Sequence, residues 1–470
     1  MESKVIQKYF NKAVNFENKG NLLEAEKYYK KIMLLNKSIP AVYNNLGNIY
    51  KKQGFFEKAE KSFLYIFKID QCFLEGYYNI GNLYYEYSMY EEALEYYTNV
   101  ISLSSKHLGA LNNMGLVYTK LKDYTLAIES YAKSIDIDDK QALVYSNLGN
   151  IFYDIGKFED SIMYFKMAIS LDSGNQKDYF NLANTLNALT YDNEAMNILE
   201  KAISIKSSYL DARVVMANLY WMYGNIDKCY EQVSYLLQYM QLRGYENQDK
   251  ITRGFTVFLS KLIEYVQNNP SLYKQESLPH IVIIGDSHSL SYAHTVLKYK
   301  EEEYIVDARM IFGCKVWHLA NNSQNRFKAH FKNLLMKIPD NCKVIFSIGE
   351  IDCRVDEGIL PYCKKIGCDI ERYIDDLVSS YIRYIVEAIK VKVIEVIIYG
   401  VPAPDNNNME LIRTIQLFNE KLQRNCKKYD FEFLNPYLIT SDVYGKSNGI
   451  YHIENVHLKP STLQEIVNNM

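Results

Sequence analysis

The chain has 470 residues, enough for two or three domains with sizeable cores, and its 48% apolar content argues against wholesale disorder. A net charge of −3 gives no basis for a nucleic-acid partner, and no apolar run approaches the ~18 residues of a membrane span. The opening residues Met1-Glu2-Ser3-Lys4-Val5 lack the basic and apolar regions of a signal peptide, so a cytoplasmic location is expected. The eight cysteines form no Cys-x-x-Cys pair and suit free thiols in a reducing compartment. The spacing of Cys353, Cys363 and Cys368 matches a metal site poorly, and neither a metal nor a cofactor is expected.

The first half repeats every 34 residues. Ala13, Gly47, Gly81, Gly115, Gly149, Ala183 and Ala217 are all small, and so, twelve residues further on, are Ala25, Ala59, Ala93, Ala127, Ser161, Ala195 and Cys229. A large ring or apolar residue follows each: Phe16, Tyr50, Tyr84, Tyr118, Phe152, Leu186 and Tyr220 in one column, Tyr29, Phe63, Tyr97, Tyr131, Phe165, Leu199 and Val233 in another. Four columns agreeing at one period over seven units predict stacked helix pairs, because one pair cannot bury its apolar face alone. Small residues let the paired helices approach, and the rings fill the space between them. The tyrosine surplus, 43 in the chain, is expected to be mostly packing.

A third set of columns is polar. Asn11, Asn45, Asn79, Asn113, Asn147 and Asn181 stand two residues before the small residue, and Asn48, Asn82, Asn150, Asn184 and Asn218 one residue after it. The two columns lie i, i+3 on one helix face, and Asn is not a favoured helix-interior residue. An amide carries donor and acceptor and can pair with a peptide backbone whatever its side chains. The alternative is that these amides bridge adjacent repeats or bind water. The pattern, over about residues 6–243, resembles the tetratricopeptide repeat. That resemblance implies a superhelix whose concave face holds a protein or peptide, with the ladder resembling that of O-linked N-acetylglucosamine transferases.

The register ends near residue 243. Within 244–279, Phe255, Phe258, Leu259, Leu262, Ile263 and Val266 have helical spacing, and the helix is expected to cap the last repeat before a linker. From 280 the style changes to alternating strand and helix. Strands are expected at 281–285, 304–311, 343–348, 393–399 and 431–434, with helices at 324–337, 369–388, 409–428 and from about Pro460. The spacing of Leu290, Ala293, His294 and Leu297 predicts a further helix directly after the first strand. Alternation of this kind implies a parallel sheet with helices on both faces, an α/β domain over 280–470.

Sites in such sheets lie beyond the carboxyl ends of the strands, and three polar clusters fall there. They are Gly285-Asp286-Ser287-His288-Ser289, Gly349-Glu350-Ile351-Asp352-Cys353-Arg354 and Glu454-Asn455-Val456-His457. In order and placement they resemble the blocks of the SGNH (GDSL-like) hydrolases: Gly-Asp-Ser, Gly-x-Asn-Asp and Asp-x-x-His. The resemblance covers the second half and implies a flavodoxin-like three-layer fold. It also implies a nucleophile at Ser287, a general base at His457 and a carboxylate at Glu454 to orient that base. The oxyanion would be held by the N–H groups of Ser287 and Gly313. The family's Asn register is occupied by Ile351, which cannot donate, and Arg354 is the candidate substitute. Asp286, His288, Gly349, Glu350 and Asp352 would complete the surroundings, although Glu350 and Arg354 can instead pair with each other.

Each residue also has a plainer reading. Ser287 can be a helix N-cap and His457 a surface histidine; His452 is a weaker candidate base, and Cys353 reads as packing. The expected activity is hydrolysis or transfer of an O-acyl group by a repeat-scaffolded serine enzyme. The family implies a small ester or an acylated glycan as substrate. The competing expectation is a non-catalytic interaction scaffold whose second domain is a degenerate binder.

Overall fold

The computed structural model describes residues 2–273, 277–354, 356–453 and 456–469. The chain forms two compact units, Met1–Ile151 and Phe152–Met470. Among the described residues no helix is long and apolar enough to cross a membrane.

The first unit is helical throughout. It holds α1 (Glu2–Asn18), α2 (Leu22–Leu35), α3 (Pro40–Lys52), α4 (Phe56–Ile66), α5 (Leu74–Glu86), α6 (Tyr90–Leu103), α7 (Leu108–Lys120), α8 (Tyr124–Ile135) and most of α9 (Ala142–Asp154). The glycines of the small column are required by the rings opposite. A Cβ on Gly47 would lie 2.5 Å from the Phe63 ring, one on Gly81 2.7 Å from Tyr97, and one on Gly115 2.5 Å from Tyr131. Those three rings are fully buried, as are Ala25, Ala59, Ala93 and Ala127. The repeat period is therefore a packing period, with a ring on one helix seated on a bare backbone on its neighbour.

The second unit continues with α10 (Phe158–Leu171), α11 (Gln176–Ala188), α12 (Asp192–Ile205), α13 (Leu210–Met222), α14 (Ile226–Arg243) and α15 (Lys250–Asn268). Six strands follow: β1 (His280–Gly285), β2 (Val296–Tyr299), β3 (Glu302–Met310), β4 (Cys342–Ser347), β5 (Ile394–Tyr399) and β6 (Glu432–Leu434), in the order β2-β3-β1-β4-β5-β6. Around them run α16 (Val316–Ala320), α17 (Arg326–Lys337), α18 (Ile359–Ile366), α19 (Ile370–Ile389), α20 (Met409–Lys428), α21 (Tyr437–Thr440) and α22 (Thr462–Asn468). Side chains alternate across the strands. Val282, Ile284, Val344, Phe346, Val396 and Ile398 pack with Phe331, Val378 and Phe418. Ile281, Ile283, Val306, Ile345 and Ile397 pack with Leu458, Leu463 and Ile466 in a separate cluster.

Two expectations are corrected. The sheet is mixed, because β2 pairs antiparallel with β3 at one edge while β3, β1, β4, β5 and β6 are parallel. The α-helix predicted after β1 is a six-residue 3-10 segment, Ser287–Tyr292, followed by β2. The apolar residues that mimic helical spacing serve different neighbours: Leu290 and Ala293 join the cluster of α13 and α15, whereas Leu297 joins that of β1. His294, at φ +63°, breaks the chain between them. Tyr292 is pinned by a 2.7 Å hydrogen bond between its hydroxyl and that of Tyr399.

Candidate active site

The first polar cluster is built by the end of β1. Gly285 lies so close to β4 that a Cβ there would sit 2.3 Å from the Ser347 carbonyl oxygen. The next residue, Asp286, donates its N–H to that same carbonyl at 3.1 Å, and Ile311 N–H donates to Gly285 O at 2.8 Å. The Asp286 carboxylate then accepts from His288 N–H at 3.0 Å, and Ser289 Oγ donates to Asp286 O at 2.7 Å. This closes a tight turn. Between Ile281 and Ala293 every residue is buried except Ser287. The turn therefore turns one hydroxyl toward solvent and hides its neighbours.

His457 meets that hydroxyl. Its Nε2 lies 2.9 Å from Ser287 Oγ, across 170 positions of sequence. The imidazole is 9% exposed and stacks on Phe258 of α15, with ring centroids 3.7 Å apart and planes at 17°. His288 stands on another side, with its ring 4.7 Å from that of His457, and its Nε2 donates to Val456 O at 3.1 Å. The residue beside the serine thus ties down the loop that carries the imidazole. His452 is directed elsewhere, its Nδ1 2.8 Å from Ser447 Oγ. Glu454, the candidate orienting carboxylate, lies outside the described residues.

The middle cluster is a charge network. Arg354 grips Glu350 with Nε at 3.0 Å from both carboxylate oxygens and Nη2 at 2.7 Å from one, and reaches Glu357 with Nη1 at 3.1 Å. These donors serve carboxylates rather than a vacant oxyanion position. Asp352, 3% exposed, accepts from Val316 N–H at 2.7 Å and Trp317 N–H at 3.3 Å, and so holds the start of α16. Burial pushes its carboxyl up to about 7 against the opposing pull of those N–H groups. Gly349, at φ +147°, packs under Phe418 and Val401. Gly313, at φ +65°, is exposed, with open space where a Cβ would project. The chain there can present an N–H to a ligand at no steric cost.

Asp286, His288 and Glu350 each bring one ligand atom within 4.8 Å of the others, the grouping among the described residues that could hold a metal ion. Its charge is already met. His288 Nδ1 is 3.3 Å from Asp286 Oδ1, at ion-pair distance though off the line of a hydrogen bond. Burial would lower the His288 imidazole, but Asp286 and Glu350 outweigh it and raise the group above its ordinary value. Burial likewise acts to raise Asp286, and His288 with Arg354 brings it below the usual carboxylate range. Glu350 is paired with the Arg354 guanidinium and Asp286 stands beside the His288 imidazole, so much of the carboxylate charge is met without a metal. The adjoining cavity, about 10 Å³, has room for at most one water. A larger cavity of about 590 Å³ lies among Pro279, His280, Tyr304 and Cys342, at the opposite, amino ends of the strands.

In the first unit the asparagine columns bond to their own chain. Asn45 Nδ2 donates to Tyr29 OH at 2.8 Å, Asn79 Nδ2 to Asn44 Oδ1 at 2.8 Å, and Asn113 Nδ2 to Asn82 Oδ1 at 2.7 Å. Asn82 Oδ1 also accepts from Tyr97 OH at 2.8 Å, and exposed Asn11 accepts from Gln7 at 2.9 Å. In the second unit Asn218 is fully buried and donates to Val214 O at 2.8 Å. Asn48, Asn147, Asn150, Asn181 and Asn184 are half-buried on the same helical columns. Asn79 and Asn113 therefore bridge adjacent repeats, the alternative the sequence left open.

The sequence did not single out Phe258 beside His457; it stood out only as one apolar position in an amphipathic helix.

Models of the tetratricopeptide repeat match residues 40–71, 74–107, 106–173 and 179–209. Among solved structures the chain is similar to YrrB, a TPR protein with an unusual peptide-binding site, at 21% identity over 39% of this chain and 95% of that one, TM-score 0.35. It is also similar to a tetratricopeptide repeat protein from Parabacteroides merdae ATCC 43184, at 20% identity over 55% and 99%, TM-score 0.43. A third is Pseudomonas aeruginosa pilF, at 16% identity over 45% and 96%, TM-score 0.40. No curated protein matches the chain. The helix pairs that these models match are tetratricopeptide repeats.

Proposed function

We propose that the second half is an SGNH-like serine hydrolase or acyltransferase acting on an O-acyl ester, joined to repeats that engage a protein or peptide. The observation that carries the reading is the 2.9 Å approach of Ser287 Oγ to His457 Nε2. A hydroxyl needs a base within this reach to become a nucleophile, and an N-cap serine needs no distant imidazole. The strand order β3-β1-β4-β5-β6 supports the reading. It is the flavodoxin-like order, which places the crevice at the end of β1, where Ser287 stands. In the proposed reaction His457 takes the serine proton as Ser287 Oγ bonds to the acyl carbon. The imidazolium then protonates the departing alkoxide, and water or a second alcohol releases the acyl group. The N–H groups of Ser287 and Gly313 would carry the oxyanion, and Glu454 would orient His457. An acylated glycan is the substrate class that the family resemblance suggests.

One observation favours the non-catalytic alternative. Ile351 offers no oxyanion donor, and the Arg354 donors described above are engaged by Glu350 and Glu357. A fluorophosphonate probe separates the two. Labelling of the wild type that disappears in both Ser287→Ala and His457→Ala supports the enzyme; a folded wild type that stays unlabelled supports the binder. For the repeats, the asparagine columns named from the sequence are the proposed peptide contacts.

A further inference from the structure

The nucleophile, the base and the oxyanion loop come from three distant stretches of chain, and each is touched by an element outside the α/β fold. Helix α15 lays Phe255, Phe258, Leu262 and Tyr265 along one face at helical spacing. Phe258 stacks on His457 at 3.7 Å. Phe255 packs on Phe312, the residue before Gly313, with ring centroids 5.4 Å apart. Tyr265 OH donates to Ser461 Oγ at 2.9 Å, four residues beyond His457. The serine segment is held from the last repeat: Trp221 Nε1–H of α13 donates to Leu290 O at 2.9 Å, and His294 Nε2 donates back to Trp221 O at 2.9 Å. One apolar cluster runs from Met216, Leu219 and Cys229 through Phe258 and Leu262 to Leu290, Ala293 and Met310.

We infer that Phe258 of α15 and Trp221 of the last repeat are positioning residues for the Ser287–His457 pair, so that the end of the repeat array is a structural part of the active site. The inference rests on the catalytic reading above. Phe258 touches no reacting atom; it fixes the plane of the imidazole, and with it the line from Nε2 to Oγ. The Trp221 indole fixes the 3-10 segment on which Ser287 stands. Neither side chain offers a group that substrate would bind, so their loss should lower the rate of the chemical step and leave affinity alone.

The test uses the full chain with fluorophosphonate labelling, resolved into a saturation constant and a maximal rate, and urea unfolding followed by tryptophan fluorescence. The variants are Phe258→Leu, which keeps apolar volume without a ring, Phe258→Tyr, which keeps the ring, and Trp221→Phe. A misplacement near 1 Å costs up to ~10²-fold in rate. The expected result is a maximal rate lowered about 10- to 100-fold in Phe258→Leu with the saturation constant unchanged, and recovery to within about threefold in Phe258→Tyr. Trp221→Phe should fall on the same side as Phe258→Leu. Should Phe258→Leu unfold early, the Tyr variant decides: a ring-dependent rate in a chain of wild-type stability upholds the inference. Wild-type rates in both Phe258→Leu and Trp221→Phe overturn it while leaving the catalytic pair intact. An unlabelled wild type overturns the catalytic reading, and the positioning role with it.

Discussion

Gly285→Ala tests how the end of β1 sets the serine. The added Cβ would stand 2.3 Å from Ser347 O, 3.0 Å from Ser347 Cβ and 3.1 Å from Ser347 C. The closest of these is backbone in the centre of the sheet and cannot swing aside. A carbon meets a carbonyl oxygen at ~3.3–3.6 Å, so β1 and β4 must part by about 1 Å at their carboxyl ends. The Asp286 N–H to Ser347 O hydrogen bond, 3.1 Å in the native turn, breaks with that movement. Losing it costs about 1 kcal/mol, and overpacking adds about 1–3 kcal/mol. The same shift carries Ser287 away from His457, whose position is set from Val456 and Phe258 and does not follow. Both tryptophans, Trp221 and Trp317, lie in the second unit, so urea unfolding by fluorescence reads the stability of that unit alone. The expected outcome is a loss of about 2–4 kcal/mol with a labelling rate down about 100-fold. A variant that unfolds within about 0.5 kcal/mol of wild type and labels at the wild-type rate refutes the argument.

Gly115→Ala should destabilise the first unit by about 1–3 kcal/mol although Ala favours helix by about 1 kcal/mol, because its Cβ would meet the buried Tyr131 ring at 2.5 Å. Circular dichroism during urea unfolding checks this, and a second change, Tyr131→Leu, should recover part of the loss. Asp352→Asn addresses pH. The folded carboxyl titrates near 7, because burial outweighs the two N–H groups of α16, while the unfolded one titrates near ~3.9. Between those values the folded state holds the extra proton, so wild-type stability falls as pH rises from about 4 to 7. The Asn variant should lack that slope and gain on wild type by about 2–4 kcal/mol across the interval; parallel pH curves would count against it. His288 works in the same direction. Its imidazole is raised, so its contribution is fully present below the ordinary value of ~6.5 and is lost at higher pH; His288→Gln should flatten that loss in urea titrations from pH 6 to 8.

The repeats were legible because their signal is redundant. A ring over a missing Cβ recurs at Gly47, Gly81 and Gly115, and no single substitution could hide it. The parallel strands were legible for a different reason: Ile281–Ile284 and Val344–Phe346 are buried on both faces, and short continuous runs of β-branched and aromatic residues suit buried strands. The stretch after Ser287 misled because periodicity records which residues are buried, not what buries them. Leu290 and Leu297 face separate clusters, and the hydrogen bond that holds the 3-10 turn comes from Trp221, 69 positions away. The asparagine columns were legible as a pattern but not as a role, since an amide that binds a peptide and one that bridges Asn113 to Asn82 need the same residue at the same spacing.

The absence of a helix after β1 and the placement of α15 are connected. A long helix after β1 would have fixed the serine from within the sheet domain, through its own ladder of hydrogen bonds and a packed face. A six-residue 3-10 segment has too few hydrogen bonds of its own to do so. What it lacks is supplied from the preceding chain: the Trp221 indole on its carbonyl at Leu290, the cluster that buries Leu290 and Ala293, and the Phe258 ring on the imidazole opposite. The order of the sequence then makes physical sense. A sheet domain that supports its own Ser287 segment can be attached to any scaffold by a free linker. One whose serine segment is supported by α13 and α15 has to be joined where it is, with its first strand following the helix that stacks on His457.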